Sequence, residues 1–181
     1  GKFDPESLNL PAEVLISVMK KHQRYFPVIK PDGELLPYFI AVRNGDTQSL
    51  ETVTDGNEQV IRARFADAAF FITEDIKYKL EDFVPQLSTL IFQFKLGSML
   101  DRTHRIEKLT GKLGEHLGLN AAEEKTALRA AHLCKADLAT HMVVEMTSLQ
   151  GVMGAFYARK SGETEFVAKA IPLLAKEPAR Q

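Results

Sequence analysis

Residues 25–42 read YFPVIKPDGELLPYFIAV, and this stretch decides the fold of the first part of the chain. Tyr25–Ile29 and Leu35–Val42 are apolar runs of strand length. Pro31-Asp32-Gly33 lies between them and is typical of a tight turn, because proline presets φ and glycine tolerates a positive φ. The two prolines inside the predicted strands cannot donate ladder hydrogen bonds, so they belong at an edge or a bulge. The stretch predicts a β-hairpin.

Helical patterns lie on both sides of this hairpin. Asp55 with Glu58 and Asn120 with Glu123 form capping-box patterns that mark helix starts, and Gly118 is suited to a helix C-terminus. Apolar residues recur with helical spacing in two stripes: Val60, Ile61, Phe65, Ala68, Ala69 and Ile72, and Ile106, Leu109, Leu113 and Leu117. The predicted helices cover about residues 11–22, 55–72, 85–97, 106–117, 120–147, 151–160 and 163–175.

These elements predict an α+β fold that is predominantly α-helical. Residues 1–90 form a hairpin-containing α/β segment, and residues 91–181 form an all-helical segment. We place the boundary between them near residues 83–97, where the hairpin and its flanking helices give way to helical patterns alone.

Composition excludes several classes of protein. With 181 residues, 45% of them hydrophobic and 26% charged, the chain has the composition of an ordinary globular protein. Its one cysteine, Cys134, cannot form an internal disulfide, and no apolar run reaches the roughly 18 residues of a membrane span. The chain begins without a methionine or a signal peptide. We expect a piece of a longer cytoplasmic protein with no membrane partner.

Positive charge is clustered although the formal net charge is −1. Residues 1–90 carry 10 Lys and Arg against 14 Asp and Glu, and residues 91–181 carry 13 against 10. Two basic clusters stand out: Lys20, Lys21, Arg24 and Lys30, interleaved with His22, Tyr25 and Phe26; and Lys95, Arg102, Arg105, Lys108 and Lys112. The first could offer phosphate contacts and a stacking face for an unpaired base, or be a solvated helix end beside core aromatics. Arg62 and Arg64 point to different faces of one helix, so at least one needs a structural partner, with Glu58 and Asp67 in reach.

Candidate catalytic residues are few. Asp137, His141 and Glu145 would share one face of a continuous helix, where they could ligate a metal, orient a general base, or simply form a polar stripe. His132 and Cys134 lie in an apolar run and are expected in the core. Gly151 and Gly154 could clamp a nucleic-acid backbone, although close packing or capping explains such a pair more often. The sequence contains no phosphate-binding loop, dinucleotide fingerprint, zinc-protease or esterase motif.

Several blocks of sequence, taken in order, resemble one family. They are residues 19–28 (MKKHQRYFPV), 36–45 (LPYFIAVRNG), 56–58, 62–71 (RARFADAAFF), 92–98 (FQFKLGS), 135–138 and 149–158 (LQGVMGAFYA). Together they are similar to the β subunit of the bacterial, heterotetrameric glycyl-tRNA synthetase, and the likeness extends over about residues 2–171.

The resemblance implies an internal, non-catalytic segment of a longer β subunit. Its partners would be glycine tRNA, the α subunit and the remainder of the β subunit, within a cytoplasmic α2β2 enzyme that aminoacylates glycine tRNA. The fragment would need no cofactor of its own, because ATP and Mg²⁺ are expected on the α subunit. The contact candidates for tRNA or the α subunit are Lys20, Lys21, Arg24, Tyr25, Arg43, Arg62, Arg64, Lys95, Arg102, Arg105 and Lys108.

The helical part also resembles the start of an HD-type domain, the fold of metal-dependent phosphohydrolases, in degenerate and truncated form. Cys134 and Lys135 stand where an active member would have its His-Asp metal ligands, so we expect no metal site. Two other functions stay open at this point. One is an HD-like phosphohydrolase that uses Asp137 and His141, with His104 or His132 as a further ligand. The other is a purely structural helical spacer.

Overall fold

The computed structural model describes residues 1–45 and 48–175, except for the side chain of His22. The chain forms two compact units, Gly1–Ile72 and a second that begins at Thr73. The prediction of an α+β, predominantly helical chain with an early hairpin is confirmed. The sequence patterns predict this division after residue 90. In the structure, residues 73–90 pack in the second unit, where Leu80 is buried and its N–H donates to Ser161 Oγ at 2.8 Å.

The first unit is built around the predicted hairpin. A 3-10 helix (Pro5–Asn9) and α1 (Ala12–Gln23) precede β1 (Phe26–Ile29) and β2 (Leu35–Ile40), which pair antiparallel with a bulge between Pro27 and Ile29. A bulge at Pro27 agrees with the prediction from its missing donor. The start of the chain adds to this small sheet, because Phe3 N–H donates to Pro37 O at 3.1 Å.

The next helix is α2 (Leu50–Asp75), and most of its apolar stripe is buried. Ile61, Phe65, Ala68 and Ile72 are buried as predicted, and Phe65 meets Phe3 edge-on with ring centroids 4.9 Å apart. Two expectations for this helix are wrong. The first is that Val60 belongs to the buried stripe, because its side chain is 40% exposed.

The second error concerns where α2 begins. The helix starts at Leu50 and not at Asp55, whose carboxylate instead accepts a hydrogen bond from Gln59 Nε2 within the helix, at 2.6 Å. Gly56 follows in open space. A capping pattern marks a possible start, but it does not prevent a helix from continuing through it.

The second unit begins with an element that the sequence analysis assigned wrongly. The expected helix over 85–97 is a 3-10 helix (Leu80–Thr89) followed by a small antiparallel hairpin of β3 (Ile91–Gln93) and β4 (Gly97–Ser98). Pro85 lies inside the 3-10 helix, and Gly97 adopts a φ of +80°. Proline disrupts a regular α-helix and a positive φ ends one, so no continuous α-helix can run from Pro85 through Gly97.

The long helix α3 (Met99–Leu117) follows directly. Its predicted end is confirmed, because Gly118 is a left-handed C-cap with φ of +67°. Its leucine stripe, however, does not form the core: Leu109, Leu113 and Leu117 are 56–65% exposed. The buried residues of the helix are instead Met99, Thr103 and Gly114, and a Cβ on Gly114 would lie 3.4 Å from Leu119.

The remaining chain forms α4 (Ala121–Leu133), a 3-10 helix (Ala136–Ala139), α5 (His141–Glu145), a 3-10 helix (Thr147–Leu149), α6 (Val152–Lys160) and α7 (Glu165–Ala175). The predicted capping box of Asn120 and Glu123 is confirmed. A single helix over 120–147 is wrong. Thr140 interrupts it, since its hydroxyl donates to Asp137 O at 2.7 Å and caps α5.

Among the described residues, no helix is both long and apolar enough to cross a membrane.

Candidate nucleic-acid interface and buried polar network

The first basic cluster lies at the end of α1. Lys20, Lys21 and Arg24 are exposed, and Arg24 ends the helix in the left-handed conformation with φ of +54°. Lys30 is paired with Glu34 across the hairpin turn. The interleaved His22 was part of this predicted cluster, and its side chain lies outside the described residues.

Tyr25 belongs to the core of the first unit. Its ring is buried and stacks on Phe39 with centroids 4.6 Å apart, and its hydroxyl donates to Asn57 Oδ1 at 2.9 Å. For this residue the core interpretation is the one the structure supports, so Tyr25 offers no face to a base. Phe26 is 57% exposed.

The other candidates of the first unit are surface arginines. Arg43 Nη1 donates to Gln48 O at 3.3 Å, and Arg62 is exposed. Arg64 faces Asp67, with Nη1 3.8 Å from Oδ2, which is one of the two partners predicted from the sequence. An exposed pair at that distance stabilises the fold little and leaves the guanidinium accessible.

The second basic cluster follows the exposed face of α3. Arg105, Lys108 and Lys112 are spaced i, i+3 and i+7, so they lie along one ridge of the helix, and all three are exposed. We call these three residues the basic ridge. At the hairpin end of the ridge, Arg105 Nη1 donates to Leu96 O at 2.9 Å.

Two further candidates lie beside the ridge. Lys95 is exposed in the loop between β3 and β4, and the Arg102 guanidinium lies 4.2 Å from the centroid of the Phe92 ring. The acids near them have other partners. Asp101 accepts hydrogen bonds from Ser98 N and Oγ, both at 2.7 Å, and these bonds lower its pKa. Asp101 is therefore ionised at neutral pH and offsets one positive charge, so the face stays positive only because cations outnumber this acid.

The expected degenerate HD position is buried. Cys134 and Lys135 are at most 1% exposed, burial raises the pKa of the Cys134 thiol to about 11, and the Lys135 ammonium donates to Ala175 O at 3.2 Å. A thiol with so high a pKa is a poor nucleophile at neutral pH. The likeness to an HD-type domain itself stays a prediction.

Asp137 lies in the same core and is held by the glycine pair. Its Oδ2 accepts hydrogen bonds from Gly151 N at 2.5 Å and Gly154 N at 3.0 Å, while no group among the described residues bonds to its Oδ1. Burial raises the pKa of Asp137 to about 6, against the opposite effect of the two amides and of Lys135. A Cβ on Gly154 would come within 2.8 Å of Ile171. The packing interpretation of this glycine pair is therefore confirmed.

A second buried carboxylate, Asp75, was missed by the sequence analysis. Its Oδ1 accepts from the backbone N and the ring Nδ1 of His141, at 2.9 and 2.8 Å. Its Oδ2 accepts from Met142 N at 3.0 Å and from Tyr157 Oη at 2.7 Å, and burial together with this bond raises the pKa of Tyr157. These partners lie 66–82 residues away along the chain, so no local pattern could have indicated them.

The shared helix face of Asp137, His141 and Glu145, on which the metal, acid–base and polar-stripe alternatives all depend, is not formed. The three residues lie on two separate helical elements, Asp137 binds the glycine amides, His141 binds Asp75, and Glu145 is exposed. Within residues 1–45 and 48–175, no cluster of three or more His, Cys, Asp or Glu side chains could hold a metal ion.

Ion pairs also occupy the wall of a groove of about 1000 Å³ beside α4. Arg129 donates to both oxygens of Glu81 at 2.8 and 2.9 Å and to Glu163 at 2.6 Å, which raises the pKa of Arg129 and lowers that of Glu81. His132 is half-buried, and its Nδ1 lies 2.6 Å from Glu107 Oε1. The expectation of a core histidine is therefore only partly met, because His132 lines the groove. The charged groups of this wall satisfy one another.

Comparison with known proteins identifies the family. A model of the glycyl-tRNA synthetase beta subunit matches residues 1–177. The glycine–tRNA ligase beta subunit of Clostridioides difficile (strain 630) is 52% identical over 172 residues, which are 94% of this chain and 25% of that protein. The beta subunit of Trichodesmium erythraeum (strain IMS101) is 52% identical over 176 residues, which cover 94% of this chain and 24% of that protein. The beta subunit of Bacillus subtilis (strain 168) is 46% identical over 171 residues, which cover 94% of this chain and 25% of that protein.

These matches show that the chain belongs to the class of aminoacyl-tRNA synthetase subunits. Within that class, the chain belongs to the glycyl-tRNA synthetase beta subunit family, as the resemblance in its sequence indicated. The chain spans about a quarter of the length of the curated relatives that it matches.

Proposed function

We propose that this chain is a tRNA-binding and assembly segment of a glycine–tRNA ligase β subunit and that it carries no catalytic group of its own. The observation that carries the proposal is the family match over residues 1–177. In the complete enzyme, the α subunit activates glycine with ATP and Mg²⁺, and the β subunit binds glycine tRNA, in the cytoplasm. The α subunit and the rest of the β subunit are the protein partners of this segment.

The distribution of charge supports RNA as the ligand of the second unit. The basic ridge presents three cations over eight residues of α3, and the seven steps of 1.5 Å between the first and the last span about 10 Å of helix. Lysine and arginine on an exposed ridge are suited to phosphate groups, whose contacts position a protein on RNA without reading its sequence. The first unit presents its own exposed cations, Lys20, Lys21 and Arg24.

The partners of the buried polar groups support a non-catalytic role. Buried Asp75 has four hydrogen-bond donors, and the single charge of the half-buried Arg129 is paired with two carboxylates. A general base or nucleophile needs a free, accessible reacting atom at neutral pH. These groups stabilise the helical unit, and we expect the isolated chain to have no aminoacylation activity.

The test is the binding of this chain to glycine tRNA and to an unrelated tRNA at several salt concentrations. Each phosphate contact contributes about 0.7 to 0.9 to the slope of log affinity against log salt. We expect Lys108→Ala and Lys112→Ala each to lower the slope by about that amount. Lys169→Ala, an exposed lysine on α7 that pairs with Glu165, serves as the matched control and should leave the slope unchanged.

The outcomes separate the possible functions. Preference for glycine tRNA with a slope of several phosphates places a recognition surface in these residues. Equal, weak binding to both tRNAs, with no effect of the two lysine substitutions, would assign the segment to the structural scaffold role instead.

A further inference from the structure

The loop between β3 and β4 carries an aromatic side chain in an unusual position. Phe94 is 95% exposed, and its neighbours Ile91 and Leu96 are 82% and 49% exposed. Single exposed apolar residues are common on protein surfaces. What distinguishes this one is that an ordered loop holds it out and that the same loop contains Lys95 and binds Arg105.

Hydrogen bonds fix the loop on the start of α3. Leu96 N–H donates to Gln93 O at 2.9 Å, which closes the turn around Phe94. Met99 N–H donates to Leu90 O at 2.7 Å, and Arg105 from the basic ridge binds Leu96 O. Because the loop is bonded at both ends, presenting the Phe94 ring costs little conformational entropy on binding.

The charges around the ring select the kind of partner. Lys95 follows Phe94 directly, and Arg105 joins the loop to the basic ridge. Glu107 is turned away, since it contacts His132 on α4. A polyanion whose units carry a flat apolar face fits this combination, and a single-stranded nucleic acid is such a polymer: phosphates meet the cations and a base stacks on the aromatic ring.

We propose that Phe94 is a base-stacking residue, which holds one unpaired base of bound RNA while Lys95 and the basic ridge contact the flanking phosphates. This inference rests on the proposed RNA-binding function. It adds the residue that contacts a base and specifies that the bound nucleotides are unpaired. Paired RNA keeps its bases stacked within the helix and does not offer such a face.

The chain contains no tryptophan, which allows a direct test of stacking. Phe94→Trp introduces a single tryptophan at the tip of the loop, which can be excited selectively over the four tyrosines, and Phe166→Trp introduces one at another exposed phenylalanine, on α7. Each variant is titrated with a 12-nucleotide single-stranded RNA and with a 12-base-pair RNA duplex. We expect single-stranded RNA to quench the fluorescence of the Phe94→Trp chain and to leave that of the Phe166→Trp chain unchanged.

Affinity gives the second measurement. One stacked base contributes about 1–3 kcal/mol, so Phe94→Ala should weaken single-strand binding by about 5- to 150-fold while the salt slope stays constant. Phe94→Tyr keeps a ring and should bind within about twofold of the parent chain. Phe166→Ala is the matched control and should bind like the parent.

The results distinguish this inference from the proposed function. If the parent chain binds no RNA, both are overturned. If the parent binds RNA with the expected salt slope but Phe94→Ala binds equally well, stacking is overturned and the proposed function stands. Equal losses for single strands and duplex would also overturn the stacking role.

Discussion

Replacing Asp137 by asparagine should remove one contribution to the pH dependence of the free energy of unfolding. The side chain is fully buried, and burial raises its pKa to about 6, whereas an aspartate in an unfolded chain has a pKa near 4. Between these values the folded state binds more protons than the unfolded state, so the free energy of unfolding falls as pH rises. Two pKa units correspond to about 3 kcal/mol in total.

Asparagine cannot titrate, and its oxygen can still accept from the amides of Gly151 and Gly154. The parent chain should therefore lose about 2 kcal/mol relative to Asp137→Asn between pH 4.5 and pH 7.5. Urea unfolding followed by circular dichroism at four or five pH values measures this difference. The matched control is Glu145→Gln, because Glu145 is an exposed carboxylate in the same region.

A difference between parent and Asp137→Asn that stays constant with pH would refute the reasoning. So would a difference of the opposite sign, in which the parent gains stability relative to the variant as pH rises. The first result would mean that the glycine amides and Lys135 cancel the effect of burial on this carboxylate, and the second that they outweigh it.

Three further predictions concern the core of the second unit and one helix of the first. Gly154→Ala should lower the free energy of unfolding by about 1–3 kcal/mol, because the new methyl group would lie 2.8 Å from the Ile171 side chain of α7. Gly56→Ala in α2 places its methyl group in open space and should raise the free energy of unfolding by up to about 1 kcal/mol. Urea titrations that give equal changes for both variants would contradict this. Tyr157→Phe removes the 2.7 Å hydrogen bond to Asp75 and should cost about 1–3 kcal/mol by the same assay, and a neutral result would show that Asp75 is satisfied without it. Cys134, with its pKa of about 11 and its burial, should resist thiol reagents at pH 8 in the folded chain and react within minutes in urea, so rapid labelling of the folded chain would rule out the buried position.

The sequence was sufficient where the determining residues are close together in the chain. The first hairpin follows from a turn of three residues between two strand-length runs, and the end of α3 follows from Gly118 alone. The second hairpin, over 91–98, was missed because its strands have only three and two residues, too few to show alternation.

For the candidate site, the sequence located the charges but not their surroundings. The spacing of Arg105, Lys108 and Lys112 already places them on one helix face. It could not separate Tyr25, which is in the core, from Phe94, which is fully exposed, because both are aromatic residues beside cations. Burial depends on contacts between distant residues, such as Tyr25 with Phe39 and Asn57.

The bonds between Asp137 and the glycine pair also bear on the order in which the second unit assembles. They close segments of only 14 and 17 residues, whereas the bond between Asp75 and Tyr157 joins residues 82 positions apart. The entropy lost on closing a loop grows with its length, and contacts between neighbours in the chain form sooner than distant ones. We therefore expect residues 137–154 to act as an early nucleus of folding, onto which the Asp75 end of α2 docks late.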